Sequence, residues 1–372
     1  MKILFLGDLY LNSPNNGNIA ENFAEVVKSA DYICLNLEGP IIEGKSNPNS
    51  HKRGPVIAEN REAIDKLFKR LGYNKLLVTL ANNHIMDYGK SGLRNTIKFL
   101  TNKCNRYLGA GIDEMIYEPC YIEEKGIKIA LFSVAEGGFG VAKENETEGY
   151  GWFLQPVVMK QIEGAKKNGY TVIVVSHAGL EDVSIPLPEI RRVYRSYIDG
   201  GADLVIAHHA HVIQGCEEYK LKKIYYCLGN WMFDSVKKEK YDENSYGVIV
   251  EIGKDDIKTE IIPLKYENSM CDINDDSRSI FEIATKKLEN WDAYMKEIDN
   301  ICFDYYKKYY KKYYEFVCGS ASALGGVIVF MKKILKKSVI DEDMLYHNLT
   351  IESHYWATCR GVGLSRKKEG KL

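Results

Sequence analysis

The sequence predicts an α/β fold whose strands are covered by helices on both faces. Through the first two thirds of the chain, short apolar runs alternate with segments of helical spacing. The runs are continuously apolar, which is typical of strands buried on both faces. An apolar fraction of 45% with 27% charged residues is typical of a soluble globular chain, and 372 residues suffice for one large or two modest domains.

Seven runs are predicted as strands, in the order KILFLG, YICLNL, KLLVTLA, IKIALFSVA, TVIVVS, DLVIA and KIYYCLG. Apolar residues three or four positions apart predict helices between them, over residues 19–30, 64–71, 93–100, 158–165 and 190–197. The stretch GVIVEIGKDDIKTEIIPL predicts a closing hairpin that turns at Asp255 and Asp256.

The composition changes after about Lys265, where apolar runs give way to Asp, Glu, Lys and Tyr. We therefore predict a first domain over residues 1–268 and a mainly helical, Tyr- and Lys-rich extension over residues 269–372. Its repeat DYYKKYYKKYYEF predicts a helix with one packed tyrosine face. Residues 316–331 carry no charge and precede KKILKK; we expect a buried segment, with contact to a membrane surface as the alternative.

Charge and cysteine content limit the classes of binding partner and the cellular compartment that the sequence predicts. Lysine and arginine number 50 against 51 aspartates and glutamates, so charge gives no reason to expect nucleic acid as a partner. The nine cysteines are scattered without a C-x-x-C pair, which favours reduced thiols. Since MKILFLGD is too short for the apolar core of a signal peptide, we predict a cytoplasmic protein, with membrane association left open.

Polar side chains follow five of the predicted strands, where ligands bind in open α/β sheets. They are Asp8, Glu38, the run Asn82, Asn83 and His84, then His177, and finally His208, His209 and His211. Strand alternation predicts that His209 and His211 share a direction and that His208 faces away. Imidazole and carboxylate ligands suit manganese, iron, zinc or magnesium, and a carboxylate between two groups of ligands can bridge two ions. We expect the remaining histidines, which are His51, His347 and His354, to be structural or surface residues.

Six stretches in order resemble the motifs of the CapA family, the poly-γ-glutamate capsule biosynthesis proteins of the metallophosphoesterase superfamily. They are GDLYLN, ADYICLNLEGPI, LANNHIMDYGKSGLRNT, VIVVSHAGLE, GGADLVIAHHAHVIQGCEEY and IYYCLGNWMFD. The resemblance implies a four-layer α/β/β/α sandwich with a two-metal centre. It assigns Asp8 and His211 to the first ion, Glu38 to a bridge, and Asn83, His177 and His209 to the second ion. It also makes His84 the general acid, which Asp87 orients.

The sequence departs from this pattern at one predicted ligand. The wider superfamily has a histidine two residues after the first aspartate, and Tyr10 stands there, so one or two divalent ions (Mn, Fe, Zn or Mg) are possible. Ala207, Ala210 and Trp231 replace other usual residues without removing a ligand. We expect Glu181 and Glu217 to accept hydrogen bonds from histidine N–H groups. Lys45, Lys52 and Arg53 could contact an anionic substrate, or form a solvated loop.

The sequence thus leaves two functions. The first is a metal-dependent hydrolase, foremost a phosphoesterase, that acts on an anionic small molecule or polymer. The alternative is a non-catalytic or weakly catalytic accessory protein in polyglutamate or capsule polymer synthesis or export. In either case the extension could contact a membrane surface or a capsule-synthesis complex.

Overall fold

The computed structural model describes residues 1–44, 46–103, 106–143, 146–234, 243–254, 256–312 and 342–368. Contacts divide the chain into two units, one of residues 1–50 and 54–289 and the other of residues 51–53 and 290–372.

Eighteen strands are formed by the described residues. They are β1 (Lys2–Tyr10), β2 (Asn18–Ile19), β3 (Tyr32–Leu37), β4 (Leu76–Thr79), β5 (Tyr107–Leu108), β6 (Ala110–Ile112), β7 (Cys120–Glu124), β8 (Ile127–Ala135), β9 (Val141–Ala142), β10 (Glu148–Gly151), β11 (Thr171–His177), β12 (Leu204–His208), β13 (Cys216–Tyr219), β14 (Lys222–Tyr225), β15 (Asn230–Phe233), β16 (Asn244–Ile252), β17 (Ile257–Glu267) and β18 (Met270–Ile273). The α-helices described in the first unit are α1 (Glu21–Ser29), α2 (Arg61–Leu71), α3 (Gly89–Lys103), α4 (Pro156–Lys167), α5 (Pro188–Asp199) and α6 (Asp275–Lys286). All seven strands and five helices predicted for this unit are present.

Two large sheets organise the first unit. Among the described residues, the larger sheet has the order β2-β18-β17-β16-β1-β3-β4-β5, with β15 also paired to β1. The second sheet has the order β13-β14-β12-β11-β8-β7. The central strands β1, β3 and β4 are parallel in the first sheet, and β8, β11, β12 and β14 are parallel in the second. The predicted closing hairpin is β16 and β17; of its predicted turn residues, Asp255 lies outside the described residues.

The sheets pack face to face with helices outside. One core lies between them and joins Ile3, Phe5 and Cys34 of the first sheet to residues such as Ile173 and Leu204 of the second. A separate core packs the other face of the first sheet against α1, α2 and α3 through side chains that include Phe23, Ile64, Phe68 and Leu93. Helices α4 and α5 contact β11, β12 and β14. The four-layer α/β/β/α arrangement is therefore confirmed.

The second unit is helical in its described part. It contains α7 (Trp291–Tyr305), a π-helical turn (Tyr306–Tyr310), α8 (Glu342–Thr350) and α9 (Glu352–Lys368). A Cβ at Gly361 of α9 would lie 2.6 Å from the carbonyl oxygen of Cys302, so α7 and α9 touch closely there. In the tyrosine repeat, Tyr310 is buried and Tyr309 is half exposed.

The end of the predicted repeat, the uncharged stretch 316–331 and KKILKK lie outside the described residues. Among the described residues, no helix is both long enough and apolar enough to span a bilayer. Helix α6 packs on the first unit, where Ser277 donates a 2.7 Å hydrogen bond to the Leu264 carbonyl. The domain limit after residue 268 stays a prediction, and the contacts themselves divide the chain after residue 289.

Gly7 lies where β1 exchanges one partner for another, pairing with β16 before it and with β15 after it. A Cβ at Gly7 would lie 2.0 Å from the carbonyl oxygen of Gly229, which is backbone and cannot turn away. We expect Gly7→Ala to lower the free energy of unfolding by about 3 kcal/mol, at the upper end of overpacking effects. Gly164→Ala in α4 meets no atom within 4 Å and should raise stability by about 0.5–1 kcal/mol. Urea unfolding of both variants checks this, and equal effects would contradict it.

Asp203 directly precedes β12, at the end of the second sheet where this strand begins. Burial alone would raise the pKa of Asp203, but hydrogen bonds from Lys166 and Lys222 lower it below its ordinary 3.8. Its stabilising contribution is therefore present above pH 3.8 and is lost as the pH falls through the folded-state pKa. We expect Asp203→Asn to cost about 2 kcal/mol at pH 7, since both lysines are partly exposed. Unfolding measured from pH 7 to pH 3 should show this cost shrinking, whereas Asp199→Asn, at a solvated Lys220 pair, should have little effect at any pH.

Candidate metal centre

The predicted ligands lie at the edge where the carboxyl ends of parallel strands from both sheets meet. Asp8 belongs to β1, Glu38 follows β3, and His177 is the last residue of β11. Across the two sheets, Nδ1 of His177 lies 3.7 Å from Oδ1 of Asp8, and its Nε2 lies 3.4 Å from Oε1 of Glu38. All three side chains are buried. The face-to-face sheets thus bring together residues that are far apart in the sequence.

One group of three side chains has ligand atoms within 4.8 Å of one another: Glu38, His177 and His209. Nδ1 of His209 lies 2.9 Å from Nε2 of His177. Oδ1 of Asn83 lies 3.1 Å from the same Nε2. Four of the predicted ligands therefore surround one point.

Asn36, which the sequence interpretation missed, holds the two buried carboxylates. Its Nδ2 donates to Oδ1 of Asp8 at 2.7 Å and to Oε2 of Glu38 at 2.6 Å. Its own Oδ1 accepts from Nδ2 of Asn82 at 3.1 Å. The available signal was an amide inside the otherwise apolar run YICLNL, two residues before Glu38.

The orientation predicted for His208 is wrong. His208 pairs in register with His177 on the neighbouring strand, so the two share a face of the sheet, and its Nδ1 lies 3.5 Å from Oδ1 of Asp8. Strand β12 ends at His208, and alternation does not continue beyond it. His209 and His211 instead adopt left-handed backbone conformations, with φ values of 98° and 59°. A second group with ligand atoms within 4.8 Å combines these two histidines with Glu181.

His84 and Asp87 form a buried pair in the turn after β4. The backbone N–H groups of His84 and Ile85 donate to Oδ1 of Asn82, which caps the turn. Nδ1 of His84 lies 2.7 Å from Oδ2 of Asp87, and that oxygen also accepts from the Ile57 N–H at 2.8 Å. Because a carboxylate only accepts hydrogen bonds, Asp87 holds a proton on Nδ1 of His84 and fixes the ring.

Two further polar residues at the cluster were also missed. Glu136 directly follows β8, accepts from the Gly179 N–H at 3.0 Å, and its Oε1 lies 3.3 Å from Nε2 of His209. Oδ1 of Asn230 lies 2.9 Å from Nδ1 of His211. The strand-end rule that selected Glu38 would also have selected Glu136.

Other predicted contacts differ in the structure. The carboxylate of Glu217 binds Arg191, Arg195 and Tyr226 rather than a histidine, because β13 directs it toward α5. The ring of Tyr10 packs on Phe233, with centroids 5.2 Å apart. Burial first, and then the charge of Glu59, raise the pKa of Tyr10 to about 12, so its phenol stays protonated and is a poor ligand.

The other basic side chains and histidines named in the sequence analysis belong to the second unit or lie outside the described residues. Lys45 is outside the described residues, and Lys52 belongs to the second unit. There, Arg53 and His51 both lie beside the carboxylate of Asp343. The rings of His347 and His354 lie 5.8 Å apart, and Nδ1 of His354 lies 2.8 Å from the Tyr310 hydroxyl. These histidines have the structural role that was expected.

The charges at the cluster fit a bound cation. Burial, followed by the neighbouring histidines, lowers the pKa of His177 well below its ordinary value, and burial lowers the pKa of His209 to about 4. Burial, then Asp8 and Glu181, raise the pKa of Glu38 well above its ordinary value. Among the described residues, Oε1 of Glu38 and Nδ1 of His208 are buried without a hydrogen-bond partner. Neutral imidazoles and crowded carboxylates are the donors that a divalent ion would join.

Comparison with known proteins gives a family match and several relatives. The family model described as "Bacterial capsule synthesis protein PGA_cap" matches residues 2–235. The chain is 31% identical over 215 residues to Capsule biosynthesis protein CapA of Bacillus anthracis, covering 56% of this chain and 52% of the relative. It is 30% identical over 212 residues to PGA biosynthesis protein CapA of Bacillus subtilis (strain 168), covering 56% of this chain and 55% of the relative. The chain therefore spans about half the length of the curated relatives it matches.

A more distant relative and one solved structure complete the comparison. Identity is 29% over 228 residues to the probable polyglutamine synthesis accessory protein Rv0574c of Mycobacterium tuberculosis (strain ATCC 25618 / H37Rv), covering 58% of this chain and 59% of the relative. A putative 5'-nucleotidase from Staphylococcus aureus aligns at 13% identity with a TM-score of 0.45, covering 76% of this chain and 58% of that chain. The four layers of the first unit are shown by its two cores.

The amide of Asn36 should matter most when no cation is present. Asn36→Leu keeps the branched shape of the side chain but removes two hydrogen bonds to buried carboxylates, so we expect the chelator-treated protein to lose about 3 kcal/mol. Thr79→Val, on the neighbouring strand β4, removes one neutral buried hydrogen bond to the Leu35 carbonyl and should cost only about 1 kcal/mol. Urea unfolding in the presence of a chelator measures both, and a Leu variant no less stable than the Val variant would refute the role of Asn36.

Proposed function

This chain belongs to the bacterial capsule synthesis family PGA_cap, as its motifs predicted, and we propose that it is a metal-dependent hydrolase that cleaves a phosphoester or related bond in an anionic substrate. The observation that carries the proposal is a fixed His84–Asp87 pair beside a group of neutral imidazoles and carboxylates. Burial is the largest cause that lowers the pKa of His177 and of His209, and the charge of His84 is a smaller cause for both, so His84 lies near the two rings. Since the chain matches capsule and polyglutamate proteins, we place the substrate in capsule polymer metabolism.

The donors suit one or two divalent ions. Glu38, Asn83, His177 and His209 would hold one ion, and Asp8 and His211 would contribute to a second. When bound, such ions neutralise phosphoryl oxygens and lower the pKa of a nearby water. Nitrogen and oxygen donors without thiolate fit Mn, Fe, Zn or Mg.

The chain's own groups supply positioning and proton transfer. Asp87 keeps one proton on Nδ1 of His84 and stabilises the doubly protonated ring, and in that state Nε2 would donate its proton to the departing oxygen and the ring would become neutral. The Asn82 cap and the Ile57 N–H hold that pair in place. Burial of His177 and His209 keeps their lone pairs available at neutral pH.

A second candidate function is an accessory role without turnover. The Mycobacterium tuberculosis relative bears the name of an accessory protein in polyglutamine synthesis, which favours this alternative. In that case the cluster would hold an ion for structural reasons. The buried His84–Asp87 pair would then have no chemical task, which is why we favour hydrolysis.

Two histidine variants separate catalysis from ion binding. We expect His84→Ala to reduce kcat by about 10²–10⁴-fold, because a proton donor is lost, while the bound metal stays unchanged. His209→Ala should lose both metal and activity. Bound Mn, Fe and Zn are measured by mass spectrometry, and turnover is measured on generic phosphomonoesters and diesters with added Mn²⁺. His51→Ala, on an exposed side chain in the second unit, is the control and should retain both.

The accessory role predicts a different result. A protein that carries its metal but hydrolyses no phosphoester or acyl phosphate in a broad panel, and whose His84→Ala variant behaves as wild type in every measured property, would overturn the hydrolase proposal.

A further inference from the structure

The second group of ligand atoms, formed by Glu181, His209 and His211, lies beside the first. We propose that Glu181 is a direct ligand of a second divalent cation, which it holds together with His211. This inference rests on the metal use in the proposed function, and what it adds is a metal-binding role for Glu181.

The backbone places Glu181 opposite the two histidines. After β11 and β12 end, their loops stay paired, because the Ala178 N–H donates to the His208 carbonyl at 3.3 Å and the Asp182 N–H donates to the Ala210 carbonyl at 2.9 Å. Gly179 has a φ of 134°, which turns the loop back toward the cluster. Glu181 is therefore held at the position where the left-handed residues His209 and His211 project.

The hydrogen bond of His211 determines which of its nitrogens is available. Oδ1 of Asn230 lies 2.9 Å from Nδ1 of His211 and accepts its proton, so Nε2 carries the lone pair. A carboxylate oxygen and an imidazole lone pair repel one another unless a proton or a metal ion lies between them. A metal ion satisfies both, and the asparagine fixes the ring as partners of metal-bound histidines commonly do.

A single ion cannot serve both groups through His209. A neutral imidazole has one lone pair, and Nδ1 of His209 lies 2.9 Å from Nε2 of His177, within the first group. His211 is thus left for Glu181. Oδ2 of Asp8 lies 3.6 Å from Nδ1 of His211, the nitrogen that faces Asn230, so this contact leaves Nε2 to the proposed ion.

The buried carboxylates at this site favour bound cations. The negative charges of Asp8 and Glu181 both act on the carboxylate of Glu38. Within the described residues, no lysine or arginine forms an ion pair with Asp8 or Glu38. Glu181 is only half-buried, so the second ion would be the one nearer to solvent.

The test counts ions in the full chain. Wild type, Glu181→Gln and Asp182→Asn are stripped with chelator, titrated with Mn²⁺, and followed by the electron paramagnetic resonance of free Mn²⁺ and by metal analysis after dialysis. We expect two ions in wild type and one in Glu181→Gln, with affinity for the second ion reduced at least about tenfold. Asp182→Asn removes the same charge from the next residue of the loop and should keep two. Thermal unfolding checks that every variant is folded.

The outcomes separate this proposal from the proposed function. Two ions of unchanged affinity in Glu181→Gln, or one ion in both wild type and variant, would overturn the role of Glu181 and leave a metal-dependent hydrolase intact. Wild type that binds no Mn²⁺, Fe²⁺ or Zn²⁺ would overturn both proposals. Reduced ion binding in Asp182→Asn equal to that in Glu181→Gln would show a general charge effect and would also overturn the ligand role.

Discussion

The site depends on the forced proximity of Asp8 and Glu38, two buried carboxylates that share the amide of Asn36. Like charges in a low dielectric repel, and one amide only partly offsets this repulsion. The surrounding imidazoles cannot supply positive charge, because burial lowers the pKa of His177 and His209 and keeps these rings neutral. A proton on Glu38 or a cation from solution can relieve this repulsion, so folding of the two sheets creates a site at which a bound metal ion would be stabilised.

Much of this arrangement could be predicted from the sequence. Largely apolar runs such as IKIALFSVA are typical of strands covered on both faces, and the covering helices follow from their spacing. The strand-end rule selected Asp8, Glu38 and His177 because β1, β3 and β11 carry polar residues at a common edge. The order of the layers does not follow from the strand pattern and was implied only by the family resemblance. The separation of the second unit is visible only in the long-range contacts.

The failures have local physical causes. The direction of His208 depends on its register with His177, and register is a property of two strands that no single run reveals. His209 and His211 lie beyond the strand in left-handed conformations that an alternating pattern cannot anticipate. Glu217 was assigned to the cluster by its nearness in sequence to these histidines, but its strand belongs to the sheet edge, where two arginines bind it. Asn36 is not predicted as a site residue, because it lies inside the run YICLNL and the strand-end rule selects only residues at the end of a strand.

The left-handed backbone at His209 and His211 carries a cost of about 1–3 kcal/mol at each residue. Glycine at either position would relieve that strain, and asparagine would reduce it, while both substitutions would discard an imidazole. Laboratory evolution for heat resistance, if blind to ligand binding, would therefore drift toward glycine or asparagine at these two positions. The selected variants would be more stable to heat but would lack an imidazole that could bind the ion. Such a selection must therefore measure metal binding together with the melting temperature.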